Sequence, residues 1–82
     1  MNTYSHSFRI KCPSNGKTIG YRLQIQSLEK VMVEEIVQAV LALPATGFHE
    51  DVADLLAEKL PGLQIVRAHH HGVDIETQRG YL

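Results

Sequence analysis

Alternating apolar and polar positions mark both ends of the chain. Between residues 6 and 26 apolar side chains return at every second position on either side of Ser14, Asn15, Gly16 and Lys17. An alternating run broken by Asn-Gly is the pattern of a β-hairpin with a tight turn. With Asn15 and Gly16 as a two-residue loop, Cys12 faces Ile19, Ile10 faces Tyr21, Phe8 faces Leu23 and His6 faces Ile25. The apolar partners then share one side of the ribbon, whereas a slip by a single residue would scatter them over both. Pro13 falls at the end of the strand, where a missing N–H costs little. Residues 63 to 80 repeat the theme around His71-Gly72. Pairing His70 with Val73 sets Ala68 against Ile75 and Val66 against Thr77 on one face, with Arg67 against Glu76 and His69 against Asp74 on the other.

The middle of the chain changes period. Leu28, Met32, Ile36, Val37, Val40 and Leu41 recur at three- and four-residue intervals, Ser27 stands ready as an N-cap, and Leu43-Pro44 ends the run. This predicts a helix over 28–42, with Val31 and Val33 off its apolar stripe. Its many β-branched residues lower the intrinsic propensity, so packing must hold it. Thr46 or Gly47 opens a second helix over 48–60, in which Phe48, Val52, Leu55, Leu56 and Leu60 share a face and Glu50 and Asp51 lie near the positive end of the dipole; Pro61-Gly62 stops it. The reading is α+β: β-β-α-α-β-β, a four-stranded, mostly antiparallel sheet with two helices packed on one face. Strand order is left open.

Length and composition fit a single small globular domain spanning residues 1–82. The chain is 44% hydrophobic and 21% charged, as ordinary globular domains are. A core of this size is small, which gives self-association as a homo-oligomer a physical motive. The lone Cys12 and an N-terminus without a charged start and long apolar run suggest a reducing, cytoplasmic setting. The longest strictly apolar run, Ala39 to Pro44, is far too short to cross a bilayer.

The formal net charge of −1 conceals an uneven distribution. The helical region holds Glu29, Glu34, Glu35, Glu50, Asp51, Asp54 and Glu58 against Lys30 and Lys59. The hairpins hold Arg9, Lys11, Lys17, Arg22, Arg67 and Arg79 against Asp74 and Glu76. In the expected register Arg9 lies opposite Arg22. Arg9, Lys11, Arg22 and Arg67 thus make the open sheet face basic, a surface suited to an anionic partner such as an acidic protein surface or a phosphate. Ser7, Gly20 and Gln24 on the same face supply no aromatic platform, which argues against single-stranded nucleic acid. The alternative is a merely solvated face.

A second candidate is the hairpin 69–76. In a strand, alternate rings of His69, His70 and His71 point to opposite faces. His69 and His71 could then point together, and with Asp74 or Glu76 they would offer nitrogen and carboxylate ligands to zinc or another transition metal. The competing assignment pairs His69 with Asp74, packs His70 at the sheet edge and leaves His71 in the turn. Catalysis lacks a convergent set: Ser5, Ser7 and Ser14 have no nucleophile-elbow context, Cys12 points inward, and Gly16 and Gly20 are too sparse to cradle a phosphate.

With its order of hairpin, helix pair and hairpin, and its His69-x-His71 pair, the chain resembles the tunnelling-fold units of pterin and deazapurine enzymes. That resemblance implies subunits that join their sheets into a barrel, and, in the zinc-using members, a separated histidine with a close His-x-His pair. His69 and His71 match the pair only, at the wrong end of the chain, so no catalytic residue is carried over. Two functions therefore stand: a protein-binding or accessory module that uses the basic sheet face or the 69–76 hairpin, and a metal-dependent or pterin-type catalytic subunit with an intersubunit site.

Overall fold

A computed structural model describes residues 1–82. Strands β1 (Asn2–Lys11) and β2 (Thr18–Ser27) are followed by helices α1 (Val33–Leu41) and α2 (His49–Lys59), then by strands β3 (Leu63–His70) and β4 (Val73–Arg79). All neighbouring strands are antiparallel, in the order β1-β2-β3-β4, so β1 and β4 are both free edges. The α+β reading holds. The order left open resolves into the simplest one, in which the helix pair carries the chain from β2 to an adjacent β3.

The second hairpin has the expected register at every pair, from His70 opposite Val73 to Val66 opposite Thr77. His71 (φ 52°) and Gly72 (φ 76°) both take positive φ, the requirement of a two-residue type I′ turn. The first hairpin differs from expectation. Cys12 does not face Ile19; the pairs are Ile10 with Ile19, Phe8 with Tyr21, His6 with Leu23 and Tyr4 with Ile25. The turn is longer than two residues, because the Cys12 carbonyl accepts from Gly16 N–H and Cys12 N–H donates to the Lys17 carbonyl, both at 2.8 Å. Pro13 fits this wider loop, in which no ladder bond is asked of it. The displacement is two residues, an even number, so every side chain keeps its face. Arg9, however, now faces Gly20 rather than Arg22.

The first helix starts five residues later than the 28–42 expectation. Ser27 ends β2 and its hydroxyl accepts from Glu29 N–H, forming a local turn rather than a cap. Val31 N–H then donates to the Tyr4 hydroxyl at 3.0 Å, which ties this extended linker to β1. Val31 is consequently core, against expectation, while Leu28, Met32 and Leu41 are exposed. The second helix loses one residue at each end of 48–60. Phe48 occupies its N-cap without a capping side chain and is exposed, and His49 is buried instead.

One apolar cluster unites the layers. Ile10, Ile19, Tyr21, Leu23, Ile25 and Val66 from the sheet meet Ile36 and Ala39 of α1 and Val52, Ala53 and Leu56 of α2. α1 packs against β1 and α2 against β3 and β4. The opposite sheet face has no covering layer. No helix is long and apolar enough to cross a membrane.

Candidate functional site

The uncovered face gathers the basic residues around the two central strands. Arg22 of β2 lies opposite Ser7 on one side and opposite Arg67 of β3 on the other. Its Nη1 donates to Ser7 Oγ at 3.1 Å, a neutral partner. Arg67 donates to Gln24 Oε1 at 3.0 Å and to Glu76 Oε1 at 3.3 Å. Gly20, with no side chain and nothing near its Cβ position, leaves a depression of about 530 Å³ that Arg22, Arg67, Asp74 and Glu76 border. Arg9 and Lys11 sit on the same face at the β1 edge, where neither forms an ion pair. The face therefore presents three cations without a carboxylate partner, namely Arg9, Lys11 and Arg22. The expected Arg9–Arg22 opposition is replaced by Arg22–Arg67. That like-charge pair crosses two strands whose relative register the sequence left undefined.

The 69–76 hairpin does not assemble the four ligands named for it. His69 Nδ1 donates to Asp74 Oδ1 at 2.8 Å on the open face. His71 lies in the turn, not in a strand, and its Nε2 accepts from Asn15 Nδ2 at 2.9 Å, so its ring leans toward the other hairpin's loop. Glu76 is committed to Arg67. No group of three or more histidine, cysteine, aspartate or glutamate side chains converges for a metal within the chain. His71 does not share a strand face with His69, because the turn reverses the chain at that residue.

On the opposite side lies a small cavity of about 110 Å³ lined by Cys12, Tyr21, Phe48, His49, His70 and Ile75, among others. His49 is the residue that sequence reasoning missed. It is 5% exposed, its Nε2–H donates to the Val66 carbonyl at 3.1 Å, and its ring lies 5.3 Å from that of Tyr21. A signal was available: His49, Val52 and Leu56 share the i, i+3, i+7 spacing of a buried helix stripe. Donation from Nε2 leaves Nδ1 bare in the neutral ring, and Nδ1 is shut off from solvent with no partner. His49 is thus anchored to the Val66 carbonyl through one ring nitrogen and shut off from solvent at the other.

Burial depresses the His49 pKa below its ordinary value; the Val66 carbonyl and Glu50 oppose the shift and Arg79 adds to it. Burial also raises Tyr21, assisted by Cys12 and Glu50. The Cys12 thiol is held below its usual value, first by the Ser14 hydroxyl and then by the backbone of Ser14 and Asn15, with burial opposing.

The His49 shift has a calculable sign. The unfolded chain takes up a proton near the ordinary histidine value of about 6.5 and the folded chain only at lower pH, so stability falls as pH drops through that window. Thermal unfolding should show a melting temperature that declines from pH 7 toward pH 5, with a smaller decline in His49→Gln. A His49 ring proton that titrates at or above the ordinary value in NMR would contradict this.

Comparison with known proteins adds no relative: no protein-family model, curated protein or solved structure matches the chain.

Proposed function

We propose that the chain is a non-catalytic binding module whose open sheet face docks an acidic protein surface around Arg22 and Arg67. One observation carries this reading: two arginines face each other across the middle of an uncovered sheet, and one of them has only a hydroxyl for a partner. Like charges directly opposite in a sheet are mildly destabilising, by less than about 1 kcal/mol in water, and a carboxylate bound between them removes that cost. Gly20, with no side chain, leaves the Arg22 guanidinium approachable from the β1 side, away from Asp74 and Glu76. The 69–76 hairpin is the less suitable half of the surface, since Asp74 and Glu76 bring negative charge to its rim. Guanidinium forks with no phenylalanine, tyrosine or tryptophan on that face favour carboxylates over the stacked bases of a nucleic acid.

The test uses a glutamate-rich peptide titrated into labelled protein and followed by amide NMR. Shifts should centre on Ser7, Gly20, Arg22 and Arg67, fade with added salt, and weaken about tenfold or more in Arg22→Glu. Equal binding by that variant, or shifts dispersed away from this face, would overturn the reading. Tighter binding of a single-stranded oligonucleotide at the same residues would replace it with nucleic-acid recognition.

A further inference from the structure

The two free edges of the sheet are complementary to one another. In β1, Lys11 N–H donates to the Ala45 carbonyl and the Lys11 carbonyl accepts from Gly47 N–H, so the Lys11 backbone groups point away from β2. Antiparallel ladders alternate, and the amides and carbonyls of Arg9, Ser7, Ser5 and Thr3 therefore point to the same open side. In β4, Val73 closes the two-residue turn with His70, so by the same alternation Asp74, Glu76 and Gln78 turn their backbone groups outward. Neither edge has a proline or a bulge, and only the Lys11 end of β1 is covered, by residues 45–47; the charges that guard the edges, Arg9 and Lys11 on β1 and Asp74 and Glu76 on β4, repel a like edge and attract the opposite one.

We propose that copies of this chain join edge to edge, β1 of one copy antiparallel to β4 of the next, with Arg9 opposite Asp74 of the neighbouring copy and Ser7 opposite Glu76. This register stops short of Lys11, whose edge groups are already used, and it matches outward-pointing backbone to outward-pointing backbone. It also matches both faces. On the open face, Arg9, which has no partner in its own chain, meets Asp74, whose side chain is 94% exposed with only a histidine for company. On the helix-bearing face the same register sets Ile10 against Val73 and Phe8 against Ile75. Val73 is an exposed hydrophobic and Phe8 is only partly buried, so the contact removes apolar surface that the lone chain leaves in water.

The competing arrangements lack this match. A β4–β4 pairing about a twofold axis at Glu76 would set that carboxylate against its own copy. A β1–β1 pairing would leave Arg9 without an acid and Val73 still exposed. A head-to-tail joint leaves one β1 and one β4 edge free at the ends, so the product is larger than the 9.2 kDa chain: a ring of defined size where the rotation between copies closes, a longer array where it does not. The joint does not involve Arg22 or Arg67, which lie on the central strands, and it stands or falls independently of the acidic-surface reading.

Charge exchange tests the register. Light scattering coupled to size exclusion should give an oligomer for the native chain, a 9.2 kDa species for Arg9→Asp and for Asp74→Arg, and the oligomer again for the double exchange. Ser5→Pro removes one outward N–H that no strand within the chain uses, and should also yield a folded monomer by circular dichroism. In the native oligomer the Ser5 and Ser7 amides should exchange with deuterium slowly, and in the monomeric variants quickly. A monomeric native chain, single variants that remain oligomeric, or a double variant that stays monomeric would each overturn the proposal.

Discussion

Replacing Leu23 by alanine should cost this domain about 3–4 kcal/mol, whereas Leu28→Ala should change its stability by less than about 0.5 kcal/mol. Leu23 lies on the central strand β2, is 0% exposed and sits beside Val66 across the ladder. Truncation there removes burial and leaves a void that the surrounding sheet and helices close only in part. Leu28 is 70% exposed in the linker before α1. The whole stability of a domain this long is about 4–12 kcal/mol, so the first substitution takes away a large share of it. Urea unfolding of the two variants side by side checks the contrast, since equal midpoints would mean that the apolar stripe read from the sequence, and not the core described above, holds the chain together.

That contrast also shows which parts of the fold were legible. The 63–80 hairpin was readable to the residue because its turn admits one geometry: two positive-φ positions, His71 and Gly72, between alternating strands. The first hairpin offered an Asn-Gly pair that suits the same turn, but Pro13 and the Cys12–Gly16 hydrogen bond select a wider loop. The even displacement preserved the faces, so the core came through while the cross-strand neighbours did not. At α1 the periodic pattern was real over Ile36, Val37 and Val40, though it left out the buried Ala39, and it ran backwards into a segment that Tyr4 ties to β1 through Val31. That hydrogen bond spans 27 residues and leaves no trace in a local window.

The candidate surface was legible in the same uneven way. Alternation alone put Arg9, Lys11, Arg22 and Arg67 on the open face, because that depends only on parity. Which of them touch depends on the β2–β3 register, which the helix pair sets and no turn motif announces. His69 with Asp74 was a local pair and therefore visible, while the reach of His71 to Asn15 joins two loops 56 positions apart. The charge asymmetry between helices and hairpins survives in three dimensions as two opposed layers, acidic on the helical side and basic on the bare sheet. Placing Asp74 and Glu76 on β4, the strand farthest from β1, then divides the bare face into a basic edge and an acidic edge.

The second large effect is expected at a residue without a side chain. Gly62 joins α2 to β3 at φ +85°, and a Cβ there would come 2.5 Å from the Gln26 backbone carbonyl oxygen and 3.2 Å from Ile25 Cγ2. Gly80, also at positive φ, closes over the Gly62 carbonyl from the far end of β4, so the corner where β2, β3 and β4 meet is packed backbone against backbone. The left-handed conformation alone costs an alanine about 1–2 kcal/mol, and the clash is with main chain that cannot rotate away. Gly62→Ala should therefore destabilise by at least about 2 kcal/mol and loosen the end of the sheet opposite the two turns. Gly20→Ala is the proper control. Gly20 has ordinary φ and empty space at its Cβ position, so alanine there should be neutral or stabilising by about 0.4–1 kcal/mol through the unfolded chain. It would also put a methyl group on the floor of the depression beside Arg22 and Arg67. Denaturant midpoints for the two alanine variants should move in opposite directions or differ by the full clash cost. If Gly62→Ala unfolds where the native chain does, the close approach of these backbones is not a constraint on the fold.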